Sequence, residues 1–284
     1  MKRKLPSNIF FIMENTDRPY LSELVREIEA MGIGVHLLDH EAAKTLLPGT
    51  DDYIITDCIL GSERARKSGT GYMAHAFREG LKDEYWDAQC IIEGFDEVDA
   101  DFVIKMYERS KHIPWTILET PRTIIRELTL EDIDDMYSLY AEPGLSDYIP
   151  PLCEDRDDEV EFEKMYISSM YEFYGYGIWT ILDRETERFI GRAGVAHRDG
   201  YEDLEVGYML SSAYQHKGIA TEVVTAIISY AKKKFGCESF NAFIDENNTA
   251  SIRFAQKLGF KKKGDALIEG RNLSWYILES SKKS

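Results

Sequence analysis

The sequence predicts two domains of different class: an α/β domain with a parallel sheet over residues 1–119, and an α+β domain with a mixed, mostly antiparallel sheet over 120–284. Three observations carry this. Short apolar runs alternate with helical periods over the first 110 or so residues, the segment 114–128 resets the pattern around Pro121, and three strand patterns then follow one another without intervening helices. The chain has 284 residues, 44% of them apolar. At roughly 100–200 residues per domain, that is enough for a buried core in each half.

In the first half, 8–14 (NIFFIME), 34–39 (GVHLLD), 51–57 (DDYIITD) and 89–93 (QCIIE) are apolar runs of strand length, as buried parallel strands require. Between them, Arg18–Met31 repeats Leu21, Leu24, Val25, Ile28 and Met31 at helical steps, and Ala100–Ser110 puts Val103, Met106 and Tyr107 on one face. After residue 120 the pattern gives a strand at 123–128, a helix opened by Thr129 with Glu131 and Asp132 in its first turn, and an acidic helix at 154–174. GIWTILD (177–183), FIGRAGVAH (189–197) and LEVGYML (204–210) come in direct succession, which favours antiparallel pairing.

The net charge of −17 disfavours general attraction to nucleic acid or anionic lipid and suits a cationic substrate, although solubility alone also explains it. Cys58, Cys90, Cys153 and Cys237 form no CxxC pair and join no histidine cluster, so reduced thiols, no metal and a cytoplasmic location are expected. The opening MKRK is basic, but its apolar run Ile9–Met13 is too short for a signal peptide, and no window approaches a membrane span.

Chemistry concentrates in LEVGYMLSSAYQHKGIATEVVTAIISYAKKKFG. A strand ends at Leu210, and a loop carries Gln215, Gly218 and Ala220. A helix follows, with Val223, Val224, Ile227, Ile228 and Ala231 on one stripe and Lys232–Lys234 at its C-terminal end. A small-residue loop entering a helix presents backbone N–H groups beside the positive end of the helix dipole, which makes an anion site. The spacing is Gln-x-x-Gly-x-Ala, neither a Walker loop nor a dinucleotide-binding GxGxxG. An ordinary strand–turn–helix is the competing explanation.

SFNAFIDE (239–246) and NNTASIRFAQKLGF then follow, the latter a helix opened by Asn248. Residues 121–280 thereby resemble the GNAT superfamily of acyl-CoA-dependent N-acetyltransferases. Gln215–Ala220 is similar to its pyrophosphate loop, Asn248-x-x-Ser251 with Lys257–Phe260 to the following segment, and EVGYMLSSAYQHKGIATE to the branch of ribosomal-protein N-terminal acetyltransferases. The resemblance implies acetyl-CoA as co-substrate, its pantetheine arm lying between strands 204–210 and 239–245 against Met209, Leu210 and Ser211. Gln215, His216, Lys217, Gly218, Ile219, Ala220 and Thr221 would hold the pyrophosphate, joined by Asn248, Ser251, Phe254 and Lys257. His216, Lys217, Arg253 and Lys257 would supply local positive charge.

It further implies direct attack by a primary amine of a small molecule or a protein N-terminus. The amide near Met209 would stabilise the oxyanion, and Glu205 would be the base. By strand alternation Glu205 shares a face with Gly207 and Met209; an exposed, non-catalytic strand glutamate is the competing explanation. Polyamines, aminoglycoside-like antibiotics and amino-acid derivatives are the other acceptor classes, and a non-catalytic acyl-CoA-binding sensor or scaffold is the alternative function. Ala255 stands where many members carry a general-acid tyrosine, leaving Ser211, Tyr208 and Tyr214 as conceivable donors. Tyr148, Tyr171, Tyr174, Gly175–Gly177 and Trp179 fall around the expected acceptor groove, and the acidic run Glu154–Glu163 borders it as a solvated face or a cation guide.

The first half resembles a Rossmann-like fragment of the haloacid dehalogenase type, but NIFFIMENTD lacks the Asp-x-Asp those phosphatases need. Asp57 is left as a strand-end candidate against a helix-capping role. The domain is expected to be non-catalytic, serving recognition, stability or homodimerisation.

Overall fold

The computed structural model describes residues 4–76 and 82–279. The chain divides into two compact units, Met1–Trp115 and Thr116–Ser284.

In the first unit, β1 (Asn8–Ile12), α1 (Leu21–Ala30), β2 (Gly34–Leu38), α2 (His40–Ala43), β3 (Tyr53–Thr56), α3 (Ile59–Ser68), β4 (Gly71–His75), β5 (Cys90–Ile92) and α4 (Ala100–Ser110) follow in order. The five strands are parallel, in the order β2-β1-β3-β4-β5. Every residue of β3 and β4 is buried, which is why YIIT reads as an unbroken apolar run. GYMAH mixes small and polar residues and carries no comparable strand signal, although it lies beside β3. Leu21, Leu24 and Ile28 of α1 pack against Phe11 and Val103 in one core. Asp57 does not cap a helix. Its buried carboxylate accepts the Glu14 N–H at 2.6 Å and meets Arg18 Nη2 at 3.2 Å, tying the end of β3 to the chain leaving β1.

The second unit runs β6 (Thr116–Glu119), β7 (Thr123–Arg126), α5 (Ile133–Tyr140), α6 (Arg156–Tyr166), a π-helical stretch (Ile167–Tyr174), β8 (Ile178–Asp183), β9 (Phe189–Ala196), β10 (Glu205–Leu210), α7 (Ile219–Phe235), β11 (Ser239–Ile244), α8 (Thr249–Lys257), β12 (Lys261–Ile268) and β13 (Arg271–Glu279). Its sheet order is β12-β13-β11-β10-β9-β8-β7-β6, antiparallel except between β10 and β11. The stripe Val223, Val224, Ile227 and Ala231 of α7 shares a core with Trp179, Ile190 and Phe240. Burying each large side chain there contributes roughly 1.5–3 kcal/mol. The π-helical stretch ends at Gly175, φ 74°. Tyr166 and Tyr171 clamp the start of β8: the Tyr166 hydroxyl accepts the Ile178 N–H at 2.7 Å, and the Tyr171 hydroxyl donates to the Ile178 carbonyl at 2.5 Å.

Candidate active site

β10 and β11 pair at one position, Glu205 opposite Asn241, where the Asn241 N–H donates to the Leu204 carbonyl at 2.9 Å. The buried Asn241 amide fixes this junction. It donates to the Asp203 carbonyl at 2.9 Å and accepts the Trp275 indole N–H at 2.7 Å. Beyond it the strands separate, opening a cleft of about 610 Å³. Val206, Tyr208 and Leu210 line one side and Ala242 and Ile244 the other, while α8 contributes Ser251, Phe254, Ala255 and Lys257, with Asn248 just before it. The Asn248 side chain caps α8 by accepting the Ser251 N–H at 3.0 Å, so helix entry and cleft wall are built by the same residue.

The loop into α7 forms the end of this cleft, with Gln215, His216, Gly218, Ala220 and Thr221 on its surface. Gly218 has φ 78°, a conformation that costs other residues roughly 1–2 kcal/mol. The first bond of the helix runs from Glu222 N–H to Gly218 O at 3.1 Å, so the amides of Ile219, Ala220 and Thr221 precede the intrahelical ladder and stand at its positive end. Gln215 braces the loop by donating its side-chain amide to the Leu210 carbonyl at 3.0 Å. Lys257 Nζ lies 3.4 Å from Thr221 Oγ1, bringing a cation to the same end.

Sequence reasoning missed a second brace. Arg122 donates from its backbone N and Nε to Glu222 at 3.0 and 2.7 Å, and from Nη1 to the Lys217 carbonyl at 2.8 Å. Burial raises the Glu222 carboxyl, but hydrogen bonds from Thr120 and Arg122 outweigh that and hold it below the usual range. An acidic residue in the first turn of α7 is thus paired with a cation. Another missed contact is Glu142, which accepts the Ser212 N–H at 2.7 Å. These partners are 70 to 100 residues apart, and nothing local in the sequence signals them.

A second cavity, of about 490 Å³, shares Ile149, Glu205, Gly207, Tyr208 and Met209 with the first. The two meet along β10. Its apolar lining includes Pro150, Leu152, Phe162, Tyr166 and Ile178, and its charged lining is Glu159, Glu163, Arg192, Arg198 and Glu205. The acidic run is therefore not a solvated face throughout, since Glu159 and Glu163 are buried. Burial raises the Glu163 carboxyl against the opposing pull of Arg192, 3.4 Å away. Burial likewise raises Glu205, against the Arg198 guanidinium bonded to it.

Of the residues singled out from the sequence, Glu205, Met209, Leu210, Gln215, His216, Gly218, Ala220, Thr221, Asn248, Ser251, Phe254 and Lys257 come together on the first cleft. Three do not line it. Ile219 points into the core, Lys217 lies over the Tyr214 ring at 5.4 Å, and Ser211 bonds back to β9. Arg253 is exposed and is absent from the lining as well. Among the expected acceptor-groove aromatics, Tyr148 lines the first cleft, Tyr171 and Trp179 are core residues, and Tyr174 is exposed.

Of the amides near Met209, from which an oxyanion donor is expected, its own does not face the gap. Ser211 N–H donates to Ile190 O at 2.8 Å, and the register is unbroken from Glu205 opposite Ala196 to Leu210 opposite Gly191. Met209 and Arg192 are therefore a hydrogen-bonded pair, and the Met209 N–H is committed to β9. Its neighbours Tyr208 and Leu210 turn their N–H groups toward the gap. Burial keeps the Tyr208 phenol protonated, and its ring packs 4.5 Å from that of Phe254.

Among the described residues, no group of three or more His, Cys, Asp or Glu is placed to hold a metal ion, and no helix is long and apolar enough to cross a membrane. Residues 122–261 match the family described as acetyltransferase (GNAT) domain. The chain is 27% identical over 150 residues to the uncharacterized N-acetyltransferase YoaA of Bacillus subtilis (strain 168), covering 52% of this chain and 84% of that protein. It is 28% identical over 153 residues to the uncharacterized N-acetyltransferase p20 of Bacillus licheniformis, covering 52% and 83%. Its fold is similar to the apo structure of the ribosomal L7/L12 alpha-N-protein acetyltransferase RimL, with a TM-score of 0.50 and 13% identity, covering 60% of this chain and 96% of that one. The turn into α7, the separated strands and the sequence match agree: residues 122–261 form a GNAT acetyltransferase domain.

Proposed function

We propose that the protein transfers an acetyl group from acetyl-CoA to a primary amine, which enters through the second cavity. The observation that carries this is the meeting of the two cavities along Glu205–Met209 of β10, one ending at a helix-start anion site and the other lined by buried carboxylates. The residues present fit the carrier. Gly218 and Ala220 leave the amides of 219–221 approachable by a diphosphate, Lys257 adds a cation, and the β10 groups of Tyr208 and Leu210 face a gap that a pantetheine arm can fill as an extra strand. When bound, acetyl-CoA supplies an acetyl thioester at the junction of the two cavities.

The protein's own groups then divide the work. Holding amine and thioester at one junction supplies proximity. Glu205 accepts the proton that an ammonium must lose before its nitrogen can attack, and burial suits it to this by raising its proton affinity. The Tyr208 amide, at the junction of the two cavities, stabilises negative charge on the carbonyl oxygen, while that of Leu210 pairs with the pantetheine arm. Tyr208, half-buried and lining both cavities, takes the place of the absent tyrosine at Ala255 in giving a proton to the departing sulfur.

The test is release of free CoA thiol across a panel of primary amines and peptides with free N-termini. Amine-dependent release supports acetyl transfer. Tight CoA binding without release from any amine would make the unit a carrier-binding module instead.

A further inference from the structure

Arg198 lies in the connection between β9 and β10. Its Nε donates to Glu205 Oε2, and its Nη1 donates to Glu269 Oε1 at 2.5 Å. Glu269 comes from the turn between β12 and β13, where its φ is 50°, and its side chain is 61% exposed against 14% for Glu205. One guanidinium therefore joins a buried carboxylate at the junction of the cavities to a wet one on a separate hairpin.

We propose that Arg198 and Glu269 form a charge relay behind Glu205: Arg198 pairs with Glu205 while that carboxylate is charged, and keeps Glu269 as its partner once Glu205 has accepted a proton. The relay rests on Glu205 being the proton acceptor for the amine and adds two positioning residues to it. In the step itself, a proton leaves the acceptor nitrogen and arrives on a Glu205 carboxyl oxygen. The three-residue cluster then passes from one net negative charge to a neutral arrangement of protonated Glu205 with an Arg198–Glu269 ion pair. Without Glu269, the same step would leave a half-buried guanidinium with no counter-charge, which is strongly unfavourable.

Other titratable groups lie around Glu205: Asp245, ion-paired with Arg271 at 3.7 Å, lines the first cavity, and the second holds more. Glu159, Glu163 and Tyr166 from α6, Tyr140 from α5, Arg192 from β9 and Tyr208 from β10 line the same cavity, with Cys153 from the connection before α6. Arg192 is occupied by Glu163 at 3.4 Å. Around Glu205, burial pushes the carboxyl upward, Arg198 pulls it down, and Glu269 pushes it up again. Removing the two relay members must therefore move Glu205 in opposite directions.

The experiment combines side-chain carboxyl NMR titration of the full chain, the Glu205 signal being assigned by its loss in Glu205→Gln, with pH profiles of CoA-thiol release. Arg198→Met is expected to raise the Glu205 midpoint and the acidic limb of the rate profile by roughly 1–3 pH units. Glu269→Gln is expected to lower both. Arg198→Lys keeps the charge but lacks the fork that bridges two carboxylates, so it falls between wild type and Arg198→Met. Shifts of the same sign, or none in folded variants, would overturn the relay. If Arg198→Met does not fold, Glu269→Gln and Arg198→Lys decide by the same criterion. If no amine is turned over, the NMR midpoints still decide the relay, and only the acetyl-transfer assignment falls.

Discussion

At the scale of single residues, the proposed chemistry depends on two positions whose character opposes their location. Glu205 is a carboxylate held in a largely buried place, where desolvation raises its proton affinity even against Arg198. A base of raised affinity is charged, and so active, only above its own midpoint. The acidic limb of kcat/KM should therefore lie above the ~4.3 of an ordinary glutamate, and activity should be lost as pH falls through it. Glu205→Gln should lower kcat by roughly 10²–10⁴-fold and abolish that limb; a retained limb would remove Glu205 from the proton path. Gly218 sits at φ 78°, and a Cβ added there would come within 3.7 Å of Arg122 Nη2 beside the start of α7. Gly218→Glu should cost roughly 1–2 kcal/mol in stability while abolishing CoA binding measured by calorimetry. Both positions were legible in the sequence, Glu205 from the period-2 pattern of β10 and Gly218 from the spacing after Gln215. Which amide near Met209 faces the gap was not. Whether the amide of 208, 209 or 210 faces the gap depends on which residue of β9 stands opposite, and a strand's own sequence does not encode its partner's register.

At the scale of elements, the turn into α7 is held by contacts from distant chain. Arg122 precedes β7, yet it grips Glu222 and the Lys217 carbonyl at distances of 2.7–3.0 Å. Arg122→Ala should leave Glu222 without a cationic partner beside the proposed diphosphate site. An exposed ion pair contributes up to ~1 kcal/mol, so CoA affinity should fall about fivefold or less, with kcat nearly unchanged; an equal fall in kcat at saturating CoA would contradict a role confined to binding. Asn248 works within its own helix. Asn248→Ala removes the cap on Ser251 and should lower stability by roughly 1 kcal/mol, read as a reduced denaturation midpoint. The cap was legible because it spans three residues. The sequence left the acidic helix open between a solvated face and a cation guide, because Glu159 and Glu163 turn inward against a cavity that forms only when β9 and β10 are paired.

At the scale of the whole molecule, the class of each unit followed from its connections. Helices between strands gave parallel pairing in residues 1–115, and strands in direct succession gave antiparallel pairing from β8 to β10. β4 escaped notice because GYMAH is buried by its neighbours rather than by an apolar composition of its own. The cleft, the turn and both cavities belong to the second unit, so residues 116–284 expressed alone should bind CoA as the full chain does; loss of binding would assign the first unit a part in the site. The central claim is that the start of α7 holds the diphosphate of an acyl carrier whose arm lies between β10 and β11. A crystal structure of the full chain with CoA tests it most directly. Diphosphate oxygens within hydrogen-bonding distance of the amides of Ile219, Ala220 and Thr221, with the thiol beside Tyr208 and Glu205, are the predicted result; a diphosphate bound anywhere else on the chain would contradict it.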